Sequence, residues 1–91
     1  MHYVYIIQSL ADGSYYKGTS ENPLKRLSFH NAGLSTYTAK KMPWKLVAIF
    51  SFQTKKEALQ KETKLKKYGK KSLEALIAGN QNELEGLMRQ S

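Results

Sequence analysis

The hydrophobic pattern opens with Tyr3-Val4-Tyr5-Ile6-Ile7, an unbroken β-branched and aromatic run that predicts a strand buried along nearly its whole length. Asp12-Gly13 marks a turn, and Ser14 to Gly18 is expected to return as the second strand of a hairpin. Asn22-Pro23 offers a side-chain oxygen for an N-cap and a proline for the first helical position. The helix so begun should carry Leu24 and Leu27 inward and end near Asn31, with Gly33 as its stop. Residues 32–43 read as a polar, basic loop closed by Pro43, and Trp44 to Phe52, the most apolar stretch, as a third strand. Thr54-Lys55-Lys56-Glu57 fits a capping box, so a helix is expected from Thr54 to about Tyr68, where Gly69 breaks it. Ser72 can cap a short helix through Ala78, and residues 80–83 can start a last one that runs to the C-terminus. The order β-β-α-β-α-α predicts an α+β fold, a small three-stranded antiparallel sheet flanked by helices. A chain of 91 residues is expected to form a single domain over 1–91, with a core of about 2–78 and a helical extension over 79–91.

Composition narrows the chemistry. The absence of cysteine excludes a disulfide framework, thiolate metal sites and a cysteine nucleophile. His2 and His30 alone cannot close a structural zinc site. The longest apolar run, Leu46 to Phe50, is too short to span a membrane, and the start Met1-His2-Tyr3-Val4-Tyr5 lacks the layout of a signal peptide. The cytoplasm is the expected compartment, with no membrane partner. The net charge of +8 is unevenly placed: residues 40–71 hold eleven lysines against Glu57 and Glu62, whereas residues 1–39 are nearly balanced and residues 72–91 are slightly acidic. A basic middle suits a polyanion, because neutralised phosphates release condensed counterions. The competing reading is a solvated lysine face that serves solubility.

Within that frame a few residues carry candidate chemistry. On a helix, Ala58, Leu59, Glu62 and Leu65 share one side, which places a carboxylate in the apolar stripe. An unpaired buried carboxylate costs several kcal/mol, so Glu62 needs a cation, hydrogen bonds or a metal, unless it tips outward to pair with Lys66 one turn on. Arg26 shares a helix face with Asn22 and His30, and its planar fork is suited to two phosphate oxygens. For His30 alone, an ordinary exposed position near the helix C-terminus is the simpler expectation. Tyr5 and Tyr16 read as strand tyrosines with polar tips, able to act on protons only beside a cation or a hydrogen-bond partner. Alternation along the second strand should turn Lys17 away from the side of Tyr16. Phosphate loops, dinucleotide fingerprints and serine-histidine-aspartate sets find no support.

Taken together these positions resemble the GIY-YIG nuclease family. Tyr3-Val4-Tyr5 looks like its first motif with tyrosine for glycine, and Tyr16-Lys17-Gly18 like its second with lysine for isoleucine. Arg26 follows Tyr16 by ten residues and His30 by fourteen, as in that family, and Ala58 to Lys66 resembles the helix that carries its glutamate. The likeness is greatest to short, stand-alone bacterial members described as excision-nuclease-like, with counterparts for Ser20, Tyr37-Thr38, residues 43–47 and Glu57-Ala58. The departures are Thr19, where many relatives carry lysine, and no evident counterpart of an asparagine that some have late in the fold. The resemblance implies a divalent-metal-dependent endonuclease that hydrolyses DNA phosphodiester bonds, in DNA repair or processing, with RNA as the other candidate substrate. It implies one Mg²⁺ or Mn²⁺ on Glu62, catalytic roles for Tyr5, Tyr16, Arg26, His30 and Glu62, and a supporting role for Tyr37. One tyrosine would accept the proton of the attacking water, and the other would orient the water or the phosphate. Lys17, Lys40, Lys41, Lys66, Lys67, Lys70 and Lys71 are the candidate contacts to nucleic acid. The alternative is a non-catalytic nucleic-acid-binding module that keeps the fold.

Overall fold

The first apolar run forms the central strand of the sheet. The structure, a computed structural model, describes residues 1–89. Strand β1 (His2–Ser9) lies between β2 (Tyr15–Ser20) and β3 (Trp44–Phe52), antiparallel to both, in the order β2-β1-β3. A central strand covered on both faces needs apolar side chains on both, which is why β1 reads as a run rather than an alternation. Val4 and Ile6 join Ala48, Phe50, Ala58, Leu65 and Leu73 in one cluster. Tyr5 and Ile7 join Trp44, Leu46 and Ile49 in the other.

Strand β3 feeds both clusters by an irregularity. Ile6 pairs with Ala48 but Ile7 pairs with Leu46, so Val47 is skipped. The extra residue reverses the phase of the alternation, and Trp44 and Leu46 face the side of Ile49 instead of that of Ala48 and Phe50. Without the bulge, two of the largest apolar residues in the strand would crowd the opposite layer.

The helices cover the two faces. Helix α1 (Pro23–Asn31) packs on the Tyr5 side, with Asn22 Oδ1 accepting from the Lys25 amide at 3.1 Å and Pro23 in the first turn, as expected. Leu24 is a correction: it is exposed, and the buried stripe of α1 runs through Pro23, the half-buried Leu27 and His30. The expected loop 32–43 contains a one-turn helix, α2 (Thr36–Ala39). Helix α3 (Lys55–Leu65) packs on the Val4 side and is capped by Thr54, which accepts from the Glu57 amide at 3.2 Å. It ends at Leu65, short of Tyr68. Helix α4 (Lys70–Ala78) starts before Ser72, with Gly69 at its N-cap and no side-chain cap. Helix α5 (Leu84–Arg89) is shorter than the expected last helix, whose final residues 90–91 lie outside the described residues.

Side-chain amides hold the irregular segments in place. Asn31 clamps the start of β3, its Oδ1 accepting from the Trp44 amide at 2.6 Å and its Nδ2 donating to the Trp44 carbonyl at 3.0 Å. Trp44 Nε1 donates to the Thr38 carbonyl, and Ser9 Oγ to that of Lys41. Asn82 spends all its capacity on backbone groups: Oδ1 accepts from Ile49 and Leu84, and Nδ2 donates to Val47 and Ile77. Glu83 continues along the same edge, its amide donating to the Ile49 carbonyl and its carboxylate accepting from the amide and hydroxyl of Ser51. The outer edge of β3, which would otherwise present unpaired backbone, is thereby filled beside the bulge.

Asn82→Ala removes four hydrogen bonds to partly buried backbone and is expected to lower stability by about 2 kcal/mol. Urea unfolding should show a lower midpoint at an unchanged slope. A midpoint that does not move would mean that residues 79–89 are not part of the cooperative unit.

Candidate active site

The antiparallel register sets Tyr5 opposite Gly18. A Cβ at Gly18 would stand 2.5 Å from Tyr5 Oη and 2.7 Å from Cζ, so the ring can cross β2 only because that position has no side chain. The Tyr5 hydroxyl then meets His30 Nε2 at 2.9 Å, and His30 Nδ1 meets Thr38 Oγ1 at 2.8 Å. Tyr5, His30 and Thr38 are all buried. His30 is therefore no exposed helix-end histidine. At four and seven residues beyond Pro23, Leu27 and His30 share its stripe, which faces the sheet.

Around this chain of hydrogen bonds stands a group of rings. The centroid of Tyr16 lies 5.1 Å from that of His30, 6.5 Å from Tyr5, 6.4 Å from Trp44 and 5.7 Å from Tyr37. Tyr37, at the first turn of α2, is 70% exposed and forms the rim. Arg26 sits one turn before His30 with its guanidinium carbon 4.2 Å above the Phe29 ring. Its Nε is buried and has no hydrogen-bond partner among the described residues. A buried donor left unpaired costs roughly 1–3 kcal/mol, which an acceptor supplied by a ligand would recover.

Glu62 comes from the other face of the sheet. Ala58 and Leu65 of α3 are buried as the stripe predicts, whereas Leu59 is exposed. Glu62 lies between the two readings open to it: its side chain is 17% exposed, and Oε1 is 3.8 Å from Lys66 Nζ. Arg26 and Glu62 both act electrostatically on the Tyr5 hydroxyl. Helices from opposite faces thus converge at the edge strand β2. Burial pushes the Tyr5 hydroxyl above its ordinary value of 10.0, with the neighbouring Tyr16 and Glu62 adding to the rise and Arg26 opposing it. Burial, followed by the Arg26 charge, holds His30 below its ordinary 6.5, so the ring is neutral at pH 7.

The lysines divide. Lys17 and Lys66 line a groove with Tyr15, Tyr16 and Tyr37, and Lys17 and Lys70 line an adjoining one with Ser14 and Tyr15. Lys17 shares the first groove with Tyr16 despite strand alternation, because an edge strand can be reached from both faces. Lys41 is held near the hairpin turn by Asp12 at 3.6 Å and Ser14 Oγ at 3.3 Å. Lys40, Lys67 and Lys71 are exposed and line neither groove. Among the described residues no group of three or more histidine or acidic side chains could hold a metal. A single, mostly covered carboxylate fits only a hard cation that takes its other ligands from water and from a bound phosphate. Two residues that do important structural work escape a reading of the sequence. Thr38 is noted only as part of the Tyr37-Thr38 stretch shared with the family, with nothing to say that its hydroxyl holds His30, and Asn82 is recognisable as important only from its partners on β3.

Keeping His30 neutral has a consequence for stability. Its pKa is depressed on folding, so the unfolded chain binds the extra proton as pH falls through 6.5, and stability contributed at higher pH is lost below that value. Asp12 is held down to about 2 by hydrogen bonds from Ser14, so what it contributes is fully present above the ordinary carboxylate value of 3.8 and is lost only as pH falls below that value. Between pH 7 and 5, denaturant midpoints should therefore fall in the wild type and stay flatter in His30→Gln. Equal slopes for the two proteins would show that His30 is not the titrating group.

Comparison with known proteins gives the family and the fold. Residues 1–75 match the GIY-YIG catalytic domain. A UPF0213 protein of Bacillus licheniformis is 41% identical over 83 residues, 90% of this chain and 84% of the relative. A UPF0213 protein of Halobacterium salinarum is 38% identical over 78 residues, 85% of this chain and 100% of the relative. The solution structure of a UPF0213 protein from Bacillus halodurans superposes with a TM-score of 0.58 at 32% identity, covering 99% of this chain and 96% of that one. The tyrosines, arginine and glutamate brought to the edge of β2 are thus set on a fold shared over nearly the whole chain, and the chain belongs to the GIY-YIG catalytic domain family.

Proposed function

We propose that this protein is a divalent-metal-dependent endonuclease that hydrolyses phosphodiester bonds in DNA. The observation that carries the reading is that an unspent buried donor, Arg26 Nε, and a mostly covered carboxylate, Glu62, belong to side chains that both bear on the Tyr5 hydroxyl, beside a groove lined by Tyr16 and lysines. Arg26 offers its fork to the scissile phosphate and offsets charge that builds on it. Glu62 would hold the cation, Mg²⁺ or Mn²⁺, which when bound would supply positive charge to the reacting phosphate. Tyr16 is half-buried and lines the groove, and in this reading it relays the proton of the attacking water, passing its own hydroxyl proton to a phosphate oxygen as it accepts that one. Tyr5 is buried, and its raised pKa keeps it a neutral donor that orients the groups beside it. His30 and Tyr37 support the two tyrosines from behind and from the rim.

Lys17, Lys66 and Lys70 would contact phosphates near the site, with Lys40, Lys41, Lys67 and Lys71 adding longer-range attraction. Such contacts position a strand without reading its bases, so little sequence preference is expected, and DNA repair or processing is the setting this suits. The Glu62–Lys66 pair is what a non-catalytic nucleic-acid-binding module would also show, since it compensates the carboxylate without a metal. Activity therefore has to decide between the two readings.

Supercoiled plasmid and single-stranded DNA incubated with Mg²⁺ or Mn²⁺ should be cut, and chelator should stop the reaction. Glu62→Gln and Arg26→Ala should each lower the rate by roughly 100-fold or more. Binding without cutting, across metals and DNA forms, would sink the enzyme reading and leave the binding module. In a separate titration, neutralising Lys66, Lys67, Lys70 and Lys71 should weaken binding and reduce its salt slope, by about 0.9 for each phosphate that is no longer neutralised. An unchanged slope would make the lysine run a solvated face.

A further inference from the structure

The open edge of the sheet has two unlike banks. Side chains alternate along β2: Tyr15 packs against the Val4 cluster and Lys17 pairs with Ile6 on that face, whereas Tyr16 packs against the Tyr5 cluster. Lys66 directly follows the buried Leu65, and Lys70 opens the helix that buries Leu73, so both belong to the elements of the Val4 face. That face therefore brings the cations Lys17, Lys66 and Lys70 to the edge. The Tyr5 face brings the rings of Tyr16 and Tyr37, with centroids 5.7 Å apart and planes at 42°. Between the banks runs a groove of about 370 Å³ lined by Tyr15, Tyr16, Lys17, Tyr37 and Lys66, and Lys17 also lines the adjoining groove that holds Lys70.

Packing does not account for the position of Tyr37. The ring is 70% exposed, yet the backbone that carries it is fixed, because the next residue, Thr38, is fully buried. The Thr38 carbonyl accepts from Trp44 Nε1 at 2.9 Å and from the Lys41 amide at 3.1 Å. A lone exposed aromatic is ordinary on a protein surface and calls for no explanation. This one is held in place, faces solvent and shares its groove with two lysines. Cations on one side and a flat ring on the other match the two parts of a nucleic-acid strand, its phosphates and its bases. In a duplex the faces of a base are covered by its neighbours in the stack, so only an unpaired or extruded base has a face to give to a ring.

We propose that the β2 edge takes an unpaired DNA strand, with its phosphates on Lys17, Lys66 and Lys70 and one base stacked on the exposed side of the Tyr37 ring. Tyr37 is then the residue that selects unpaired over paired DNA. Charge alone would rank the two the other way, since a duplex has the denser phosphate charge and gains more from counterion release. Stacking accepts any base, because every base has a π-face, so the selection is for strand form and not for sequence. That the strand is cut beside Tyr16 rests on the nuclease reading above, whereas the choice of an unpaired strand rests on the two banks alone.

The test measures binding in chelator, so that nothing is cut. A single-stranded oligonucleotide and its duplex are titrated at the same salt, beside a single strand that carries a fluorescent purine analogue between two abasic positions, where only the protein can stack on it. The wild type should bind the single strand about tenfold more tightly than the duplex and quench the analogue. Tyr37→Ala should lose the quenching and about tenfold in single-strand affinity, with duplex affinity within about twofold of the wild type. Tyr37→Phe keeps the ring and should behave as the wild type, and Lys66→Ala should weaken both forms alike through a lost phosphate contact. Duplex bound as tightly as single strand, binding of neither form, quenching that survives Tyr37→Ala, or Tyr37→Phe as weak as Tyr37→Ala would each overturn the proposal. Cutting assays separate the two readings. A duplex cut without preference removes the stacking proposal and leaves the nuclease, whereas a single strand bound and quenched but never cut removes the nuclease and leaves the stacking.

Discussion

The site depends on how one tyrosine on a fully covered strand disposes of its hydroxyl. Tyr5 cannot turn outward, because β1 is flanked by strands on both sides and helices on both faces. Its ring is worth several kcal/mol as buried apolar surface, but the hydroxyl at its end must find a partner or cancel much of that gain. The solution is geometric: an absent side chain at Gly18 lets the ring cross the neighbouring strand, and His30 waits at the far side. Once the hydroxyl is there, the charges of Arg26 and Glu62 bear on it from the helices of the two faces. A larger residue at position 18 would displace a ring end that is already held by a histidine, which is itself held by a threonine. Fold and site are therefore joined through a single ring.

What the sequence shows of this architecture follows from which signals are local. The β1 run, the Asp12-Gly13 turn, the Asn22 cap and the Thr54 cap are written in adjacent residues and are legible there. The bulge at Val47 is not, because an apolar strand buried on both faces carries no alternation that could show a change of phase. Leu24 and His30 exchange their expected places for a related reason. Hydrophobicity puts leucine inside and histidine outside, whereas here a buried partner, Thr38, and a tyrosine hydroxyl make the histidine the residue that the interior accepts. Pattern alone leaves Glu62 undecided, and its mostly covered side chain beside an exposed lysine explains why.

Charge and structure also divide the work differently from what counts of lysine suggest. The eleven lysines of residues 40–71 give the chain its basic character, but the groove next to Tyr16 takes only Lys66 from that set and adds Lys17 from the hairpin. Long-range attraction belongs to the composition and falls off within a Debye length of about 8–10 Å. Short-range placement belongs to the edge strand. The arginine matters for a different reason from either, since its planar fork stacks on Phe29 and keeps one donor unspent in a covered position.

A three-stranded sheet has two edges, and here they are treated unequally. Asn82 and Glu83 occupy the outer edge of β3 with side-chain and backbone hydrogen bonds, which take up backbone groups of Val47, Ile49 and Ser51 that another strand would need. The outer edge of β2 has the tyrosines and Lys17 on the strand itself, with Arg26 approaching from one face and Glu62 and Lys66 from the other. A side chain on either face of a covered sheet can reach a ligand only by coming round an edge, so groups borne on both α1 and α3 can act on one atom only there. Closing one edge with the C-terminal segment and leaving the other to carry the candidate site thus lets a domain of this size be stable at one edge and open at the other.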